Sequence, residues 1–490
     1  MNRRMVLHML GKIIMLEGVL LTLPLIVSFI YHESCALSFM ITIAIALVVG
    51  PIMSALAKPR NRVMFAKEGF FIVSLAWIFM SLIGALPFFI SREIPNYIDA
   101  FFEVVSGFTT TGASILNDVE SMSRGLLFWR SFTHWIGGMG VLVFIMAIIP
   151  SISDRSIHIM RAEMPGPIIG KLVPRARQTA KILYLIYIGF TVAEFIFLLC
   201  GEMDCFESIL HTFGTAGTGG FGMKADSIAS YSSYSQWVIT IFMLLFGINF
   251  NLYFLLLIGK FKPIFKSTEL RLYFCVVAVA TAVIAININH MYPSTGDTIR
   301  NSIFQVSSIM TTTGYTTADY NLWPSLSKAI LVLLMFVGAC AGSTAGGIKM
   351  SRVIILFKIA KRELKKLLHP RSVNSVTFEG KRLDDVTTTS VCAYFITYML
   401  VTAVVLLIVS IQGLDFETNF TGVLACICNI GPGLSKVGPA SNFSFFSPLS
   451  KYVLMFDMLA GRLELFPMLL LFVPTIWKEF FTHHTKKHNF

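Results

Sequence analysis

Charge is what this sequence has least of. Of its 490 residues 27 are acidic and 39 basic, 13% in all, against 55% hydrophobic residues and a mean hydropathy of +0.73. A soluble domain carries about 25% charged residues, so a water-soluble globule is excluded and the chain reads as an integral membrane protein. The net charge of +12 does not call for nucleic acid. The basic residues fall in clusters between apolar runs, which is the positive-inside bias of membrane proteins. Cysteine is scarce too. The eight present form no C-x-x-C pair, which excludes a disulfide framework and a zinc site, and Cys426-Ile427-Cys428 reads as small-residue packing. Hydrolase strings are missing. His32-Glu33 lacks the second histidine of H-E-x-x-H because Ala36 holds that place, and no G-x-S-x-G occurs, so no enzyme is expected. Nor does an A-x-A-like cleavage site follow the first apolar segment, residues 13–30, which is expected to remain as a helix.

What the chain does have is apolar span after apolar span. Two come first, residues 13–31 and 37–56, each long enough to cross about 30 Å of hydrocarbon. A module of span, short re-entrant segment and span then recurs four times. Its parts are 68–91, 97–117 and 126–150; 179–201, 206–223 and 236–260; 270–291, 300–319 and 326–357; and 388–411, 416–434 and 449–477. The expected fold is an all-α integral membrane protein with four pseudo-symmetric helix–pore-loop–helix repeats around one pore, preceded by two extra transmembrane helices. The units are 1–66 (the two extra helices), 67–150 (repeat 1), 151–178 (a cytoplasmic linker), 179–260 (repeat 2), 261–357 (repeat 3), 358–386 (a cytoplasmic loop) and 387–490 (repeat 4 and tail).

The re-entrant segments are polar where lipid would forbid it. S-G-F-T-T-T-G-A-S, F-G-T-A-G-T-G-G-F, S-I-M-T-T-T-G-Y-T and C-I-C-N-I-G-P-G align on Gly112, Gly219, Gly314 and Gly431. Irregular backbone at membrane depth survives only under protein cover or along a watered path. Thr313-Gly314-Tyr315 is a shortened form of the T-V-G-Y-G string whose carbonyls replace the hydration shell of potassium. Glycine permits the positive φ that aims successive carbonyls at one axis. The candidate ion ligands are the oxygens of Thr110, Thr111, Gly112, Thr218, Gly219, Thr312, Thr313, Gly314, Asn429, Ile430 and Gly431, with K+ as the transported ion.

Two further features sit in the second spans. The run from Gly338 to Lys349 resembles a phosphate loop only superficially, because Ile348 separates Gly347 from Lys349 and no strand precedes it. A glycine-rich break in a pore-lining helix reads as a flexible constriction formed by Gly342, Ser343, Thr344, Gly346, Gly347 and Lys349; close helix packing through small residues is the alternative. Arg462 lies in an apolar span, where a guanidinium must face a cavity or a partner such as Asp457 or Glu464. It stands about thirty residues past Gly431, as Thr344 does past Gly314 and Asn249 to Asn251 past Gly219, so these polar groups should meet at one depth beneath the loops. Arg130 and His134 lie nearer the outer end of their span and suit structural hydrogen bonding as well as transport.

Charge gives the orientation. Lys58, Arg60, Arg62 and Lys67, then Arg155 to Arg177, then Lys260, Lys262, Lys266 and Arg271, then residues 358–382 are basic clusters, while the opposite connections hold isolated Arg92, Arg124, Lys224, Arg300, Lys328 and Lys436. Both termini and the long loops are expected to be cytoplasmic, in a multi-pass protein of the inner membrane.

With these residues in view the chain resembles the TrkH/TrkG/KtrB family of potassium transport proteins, most of all its TrkH branch. The likeness rests on F-W-R-S-F-T-H-W-I-G-G-M-G-V at 128–141, C-A-G-S-T-A-G-G-I-K at 340–349, G-R-L-E-L-F-P at 461–467, the four loops and the two extra N-terminal spans. His134 stands where that pattern would hold glutamine. The resemblance implies a homodimer with one pore per protomer and a cytoplasmic ring of TrkA-type nucleotide-binding regulatory subunits. It also implies gating by residues 340–349 and a pore-facing Arg462. Potassium uptake is the leading expectation; a sodium- or proton-coupled potassium symporter, or a sodium-conducting relative, is the alternative.

Overall fold

The computed structural model describes residues 1–59, 66–140, 176–371 and 374–481. Most of the linker expected at 151–178, the end of the span expected at 126–150, Arg60, Arg62 and the tail beyond residue 481 lie outside the described residues. Elements are numbered here over the described residues.

Helix α1 (Arg3–Leu20) begins well before the apolar run, because Asn2 caps it by accepting from the Met5 amide at 3.2 Å. It passes into α2 (Thr22–Ile30), and the two make one span of 28 residues. Helix α3 (Ala36–Leu56) returns alongside it. The seam is made of small residues: a Cβ on Gly11 would lie 2.6 Å from the Gly50 carbonyl oxygen, and Gly18 faces Ala46. With no hydrophobic force between helices in lipid, such close backbone approach supplies the packing.

Four units follow. The first has α4 (Ala66–Gly84), α5 (Leu86–Ile90), α6 (Tyr97–Phe108) and α7 (Arg124–Gly138). In the second, α8 (Ala176–Leu199) leads to α9 (Cys205–Gly217), α10 (Ser233–Phe246), α11 (Phe250–Leu257) and α12 (Phe261–Lys266). The third comprises α13 (Thr268–Ile288), α14 (Thr295–Met310), α15 (Ser325–Val337) and α16 (Met350–Leu368). After a hairpin of β1 (Thr377–Phe378) and β2 (Lys381–Arg382), the fourth has α17 (Asp385–Ser410), α18 (Phe416–Ile427), α19 (Pro448–Arg462), α20 (Phe466–Leu469) and α21 (Pro474–Phe481). The fold class read from the sequence therefore holds, with that two-stranded hairpin added.

The short helices α6, α9, α14 and α18 are the re-entrant ones. Each is capped at its start by a polar side chain, Asn96, Asp204, Ser294 or Asp415, and each carries an acid in its first turn, Asp99, Glu207, Asp297 or Glu417. Acids suit the positive end of the helix dipole. The opposite, carbonyl-bearing ends run directly into the four loops.

The long second spans expected in units 2, 3 and 4 are broken. Six described helical stretches are long and apolar enough to cross a membrane, and they are the two N-terminal ones and the first span of each unit. In unit 2 the chain bends by 89° between α10 and α11; in unit 3 the loop from Gly338 to Lys349 separates α15 from α16; in unit 4 α19 ends at Arg462, followed by Glu464 and Leu465 at positive φ. Hydropathy cannot see such breaks, because glycine and apolar residues read the same whether or not the helix continues.

Candidate ion pathway

Each re-entrant helix hands the chain to a loop of one repeated conformation. Thr110, Thr218, Thr312 and Asn429 take left-handed φ values of 54°, 55°, 55° and 55°. Two residues on, Gly112, Gly220, Gly314 and Gly431 take φ values of 77°, 76°, 85° and 95°. Between them the amides of Thr111, Gly219, Thr313 and Ile430 turn back to the carbonyls of Ser106, Gly214, Ser308 and Ala425 at 2.9, 2.8, 2.8 and 2.9 Å. Left-handed backbone at a threonine costs about 1–3 kcal/mol and persists only where its surroundings impose it.

The surroundings are the other loops. The space that a Cβ would need at Gly112 is taken by the carbonyl oxygen of Gly219, at Gly220 by that of Thr313, at Gly314 by that of Ile430, and at Gly431 by that of Thr111. Unit 1 leans on unit 2, 2 on 3, 3 on 4, and 4 on 1, so the four loops close a ring. Among the described residues none of these four carbonyls accepts a backbone hydrogen bond.

The alignment on Gly219 is corrected by this geometry. Gly220 is the counterpart of Gly112, Gly314 and Gly431, and Gly219 occupies the place of Thr111. Gly219 is a glycine for another reason: the His134 imidazole fills the place of its Cβ. The two consecutive glycines were the signal that either could fit.

Most of the side-chain oxygens expected as ligands are engaged with protein. The Thr111 hydroxyl lies 2.8 Å from that of Thr109 and accepts from Asn429 Nδ2 at 2.9 Å; the Thr313 and Thr311 hydroxyls are 2.8 Å apart; Thr218 donates to the Gly217 carbonyl at 2.6 Å; Thr312 accepts from the Gly346 amide at 2.6 Å. Thr110 Oγ1 and Asn429 Oδ1 are buried without a hydrogen-bond partner among the described residues. Beyond the glycines a mouth of about 140 Å³ opens, lined among others by Gly112, Gly220, Gly314 and Gly431.

On the other side of the ring the path is filled. The loop between α15 and α16 is tied to unit 2 by the Cys340 amide on the Gly247 carbonyl (3.1 Å) and by the Phe250 amide on the Gly342 carbonyl (3.0 Å). The Gly346 amide ties it to Thr312, and Gly346 has no Cβ because the Cys428 carbonyl stands 2.5 Å from where one would be. Lys349 is buried and donates to the Ala345 carbonyl within the loop. Arg462 donates to the carbonyls of Thr344 (2.8 Å), Gly137 (2.6 Å) and Gly138 (2.6 Å), joining units 1, 3 and 4. The cavity left among Gly342, Gly346, Lys349, Arg462 and Glu464 is about 20 Å³, room for roughly one water. Glu464 is paired with Arg352, and the Asp457 carboxylate has no hydrogen-bond partner among the described residues, so neither of the two acids considered for Arg462 holds it in the hydrogen bonds above.

Residues 36–481 match the TrkH family, described as a cation transport protein. The chain belongs to the TrkH family of cation transport proteins. It is 38% identical over 488 residues to the Trk system potassium uptake protein TrkH of Escherichia coli (strain K12), covering 98% of this chain and 100% of that protein. Against the potassium uptake protein TrkG of the same strain the identity is 35%, covering 97% and 99%. The crystal structure of the potassium transporter TrkH from Vibrio parahaemolyticus superposes with a TM-score of 0.87 at 32% identity, over 97% of this chain and 100% of that one.

Within this TrkH-family scaffold several contacts were not legible in advance. Tyr315, fully buried, donates from its hydroxyl to the carbonyls of His211 and Phe221 at 3.3 Å each, pinning loop 3 to unit 2. His134 Nδ1 lies 2.8 Å from the Gly107 carbonyl and its ring packs on Phe221 at 4.2 Å, behind the loops. Glu269, at the start of α13, accepts from the Ala341 amide at 2.8 Å and so holds the intramembrane loop from the side of the basic clusters. Its own amide donates to Glu379 at 3.1 Å, in the Glu379-Gly380 turn of the hairpin, and Lys358 of α16 donates to Thr377 at 2.7 Å. The hairpin thus touches α13, which holds the loop through Glu269, and α16, into which the loop runs.

Proposed function

We propose that this protein carries potassium ions across the cytoplasmic membrane into the cell, through the ring of four loops acting as a selectivity filter. The observation that carries the reading is the closed cycle of glycine–carbonyl contacts from Gly112 through Gly220, Gly314 and Gly431 back to Thr111. Such a ring offers carbonyl oxygens at one level to a dehydrated cation, which is how carbonyl filters work. The carbonyl ends of α6, α9, α14 and α18 point into the same loops, each adding up to about half a negative charge. Thr110 Oγ1 and Asn429 Oδ1 supply further oxygens at its base.

The mouth faces outward and the basic connections face the cytoplasm, in keeping with the placement of Lys and Arg. The loop carrying Gly342, Ser343, Thr344, Gly346, Gly347 and Lys349 is the gate, and Arg462 is a fixed positive charge under the filter that holds it. A homodimer and a cytoplasmic TrkA-type nucleotide-binding ring complete the assembly. The names of the relatives, potassium uptake proteins, support the choice of ion.

The test is flux into liposomes holding the purified full chain, read with a rubidium tracer under imposed potassium, sodium or proton gradients. Uptake driven by the cation's own gradient and blocked by potassium far better than by sodium is expected. Uptake that requires an imposed sodium or proton gradient would replace this reading with a symporter.

A further inference from the structure

The loops are braced beyond their glycines by unlike devices, and one of these is ionic. Glu103 on α6 and Arg130 on α7 form a pair, Nε to Oε1 2.7 Å, with side chains 0% and 3% exposed. The Glu103 carboxylate also accepts from the Ser114 hydroxyl (2.9 Å) and the Ile115 amide (2.9 Å), on the limb of loop 1 just past Gly112. The other arm of Arg130 reaches loop 2. Its Nη1 donates to the Gly222 carbonyl at 3.0 Å, and its guanidinium carbon lies 3.5 Å over the Phe221 ring. Ser114 and Gly222 stand at the same register, two residues past Gly112 and Gly220.

We propose that the Glu103–Arg130 pair is a specificity-determining brace that fixes the spacing of loops 1 and 2 and thereby the choice among alkali cations. This rests on the reading of the four loops as a filter. No other unit has an acid at that place: the residues nine before Gly220, Gly314 and Gly431, as Glu103 is nine before Gly112, are His211, Gln305 and Gly422. His211 uses Nδ1 on the Glu207 carbonyl of its own helix at 2.8 Å, and Gln305 reaches the Ala318 carbonyl only at 3.5 Å. Loops 1 and 2 are therefore joined by a charged brace, whereas loop 3 is pinned to unit 2 by the neutral Tyr315 hydroxyl and to unit 4 by Asn321 on the Ser435 backbone. A buried ion pair adds little net stability over apolar packing of equal volume. What it adds is geometry, since the guanidinium is a planar fork whose donors point in fixed directions. Both limbs it grips lead directly from the glycines whose φ values aim the carbonyls. Arg130 and Glu103 touch no ion in this scheme; they are positioning residues.

The experiment compares rubidium and sodium tracer uptake by the full chain in liposomes, for the parent, Arg130→Lys, Glu103→Gln, Ser114→Ala and Gly112→Ser. Arg130→Lys keeps the charge but cannot serve Glu103 and Gly222 together, and Glu103→Gln keeps an acceptor for Ser114 while removing the charge. Each is expected to lower the rubidium-to-sodium ratio about tenfold, and Ser114→Ala two- to fourfold. A purely structural pair would lower thermal stability and yield while leaving the ratio of the folded fraction unmoved. Ratios within twofold of the parent in folded Arg130→Lys and Glu103→Gln overturn the brace. If neither folds, Ser114→Ala decides, because it cuts one limb contact and leaves the pair intact; a parental ratio there overturns the proposal. Gly112→Ser separates the two readings. A lowered ratio in Gly112→Ser with parental ratios in the others sinks the brace alone, whereas a parental ratio in Gly112→Ser sinks the filter with it.

Discussion

The register of loop 2 gives the sharpest test, through Gly220→Ala. At φ 76° an alanine pays about 1–2 kcal/mol for left-handed backbone. Its Cβ would also enter the space of the Thr313 carbonyl oxygen, which must retreat on the order of 1 Å to regain van der Waals contact. Taking about half an elementary charge on that oxygen and an effective dielectric of about 20, a retreat from about 2.8 to 3.8 Å from a cation costs roughly 0.8 kcal/mol. That is about a fourfold loss of affinity. The assay is protection from heat denaturation by potassium, since an ion that binds only the folded state stabilises it by RT ln(1 + [L]/Kd). The half-protecting concentration should rise about fourfold, with sodium protection changing less. Gly219→Ala, at ordinary φ, carries no such backbone cost and meets the His134 ring instead. Parental potassium protection in Gly220→Ala would refute the reasoning, and a larger loss in Gly219→Ala than in Gly220→Ala would restore the alignment on Gly219.

Arg462→Ala removes three hydrogen bonds to carbonyls of units 1 and 3; we expect faster basal cation uptake and a loss of about 2–4 kcal/mol, and uptake no faster than the parent's would contradict the gate assignment. Glu269→Ala frees the Ala341 amide and should raise uptake measured without any regulatory partner; a variant as quiet as the parent would mean the latch is idle. Asp415 is held below the usual carboxylate range by the Thr418 amide and hydroxyl. A depressed folded value makes its contribution full above the unfolded value near 3.9, and lost as pH falls through the folded one. Thermal midpoints measured from pH 6 to pH 3 should therefore fall less steeply in Asp415→Asn than in the parent, and parallel curves would rule this out.

Much of the architecture was legible because lipid imposes a simple grammar: apolar runs of the right length, and polar half-runs that need a reason to exist. Thr110, Thr312 and Asn429 could be picked out because a hydroxyl or amide stands before each loop glycine. Gly220 could not be told from Gly219, since the choice depends on a carbonyl contributed by residue 313 and an imidazole contributed by residue 134. The break in α10–α11 was hidden for a related reason. Its new partners, the Cys340 and Gly342 backbone, lie about a hundred residues away and are met only after folding. Arg462 was recognised by its cost in lipid, but its acceptors are backbone carbonyls, which carry no sequence signature.

The ring closes within one polypeptide, and that changes how it can be tuned. In a pore of four identical chains, any substitution is repeated at every wall, and an improvement at one point is multiplied into a distortion at four. Here Thr111, Gly219, Thr313 and Ile430 present the four facing backbone carbonyls from four different stretches of sequence, and among the described residues only loops 1 and 2 are bolted together by a buried ion pair. A single codon therefore moves one wall against three fixed ones, so the same aperture can be altered in steps a quarter as large. Unequal walls also give the aperture a direction across its width, and a dehydrated ion passing through would sit nearer one side than the other.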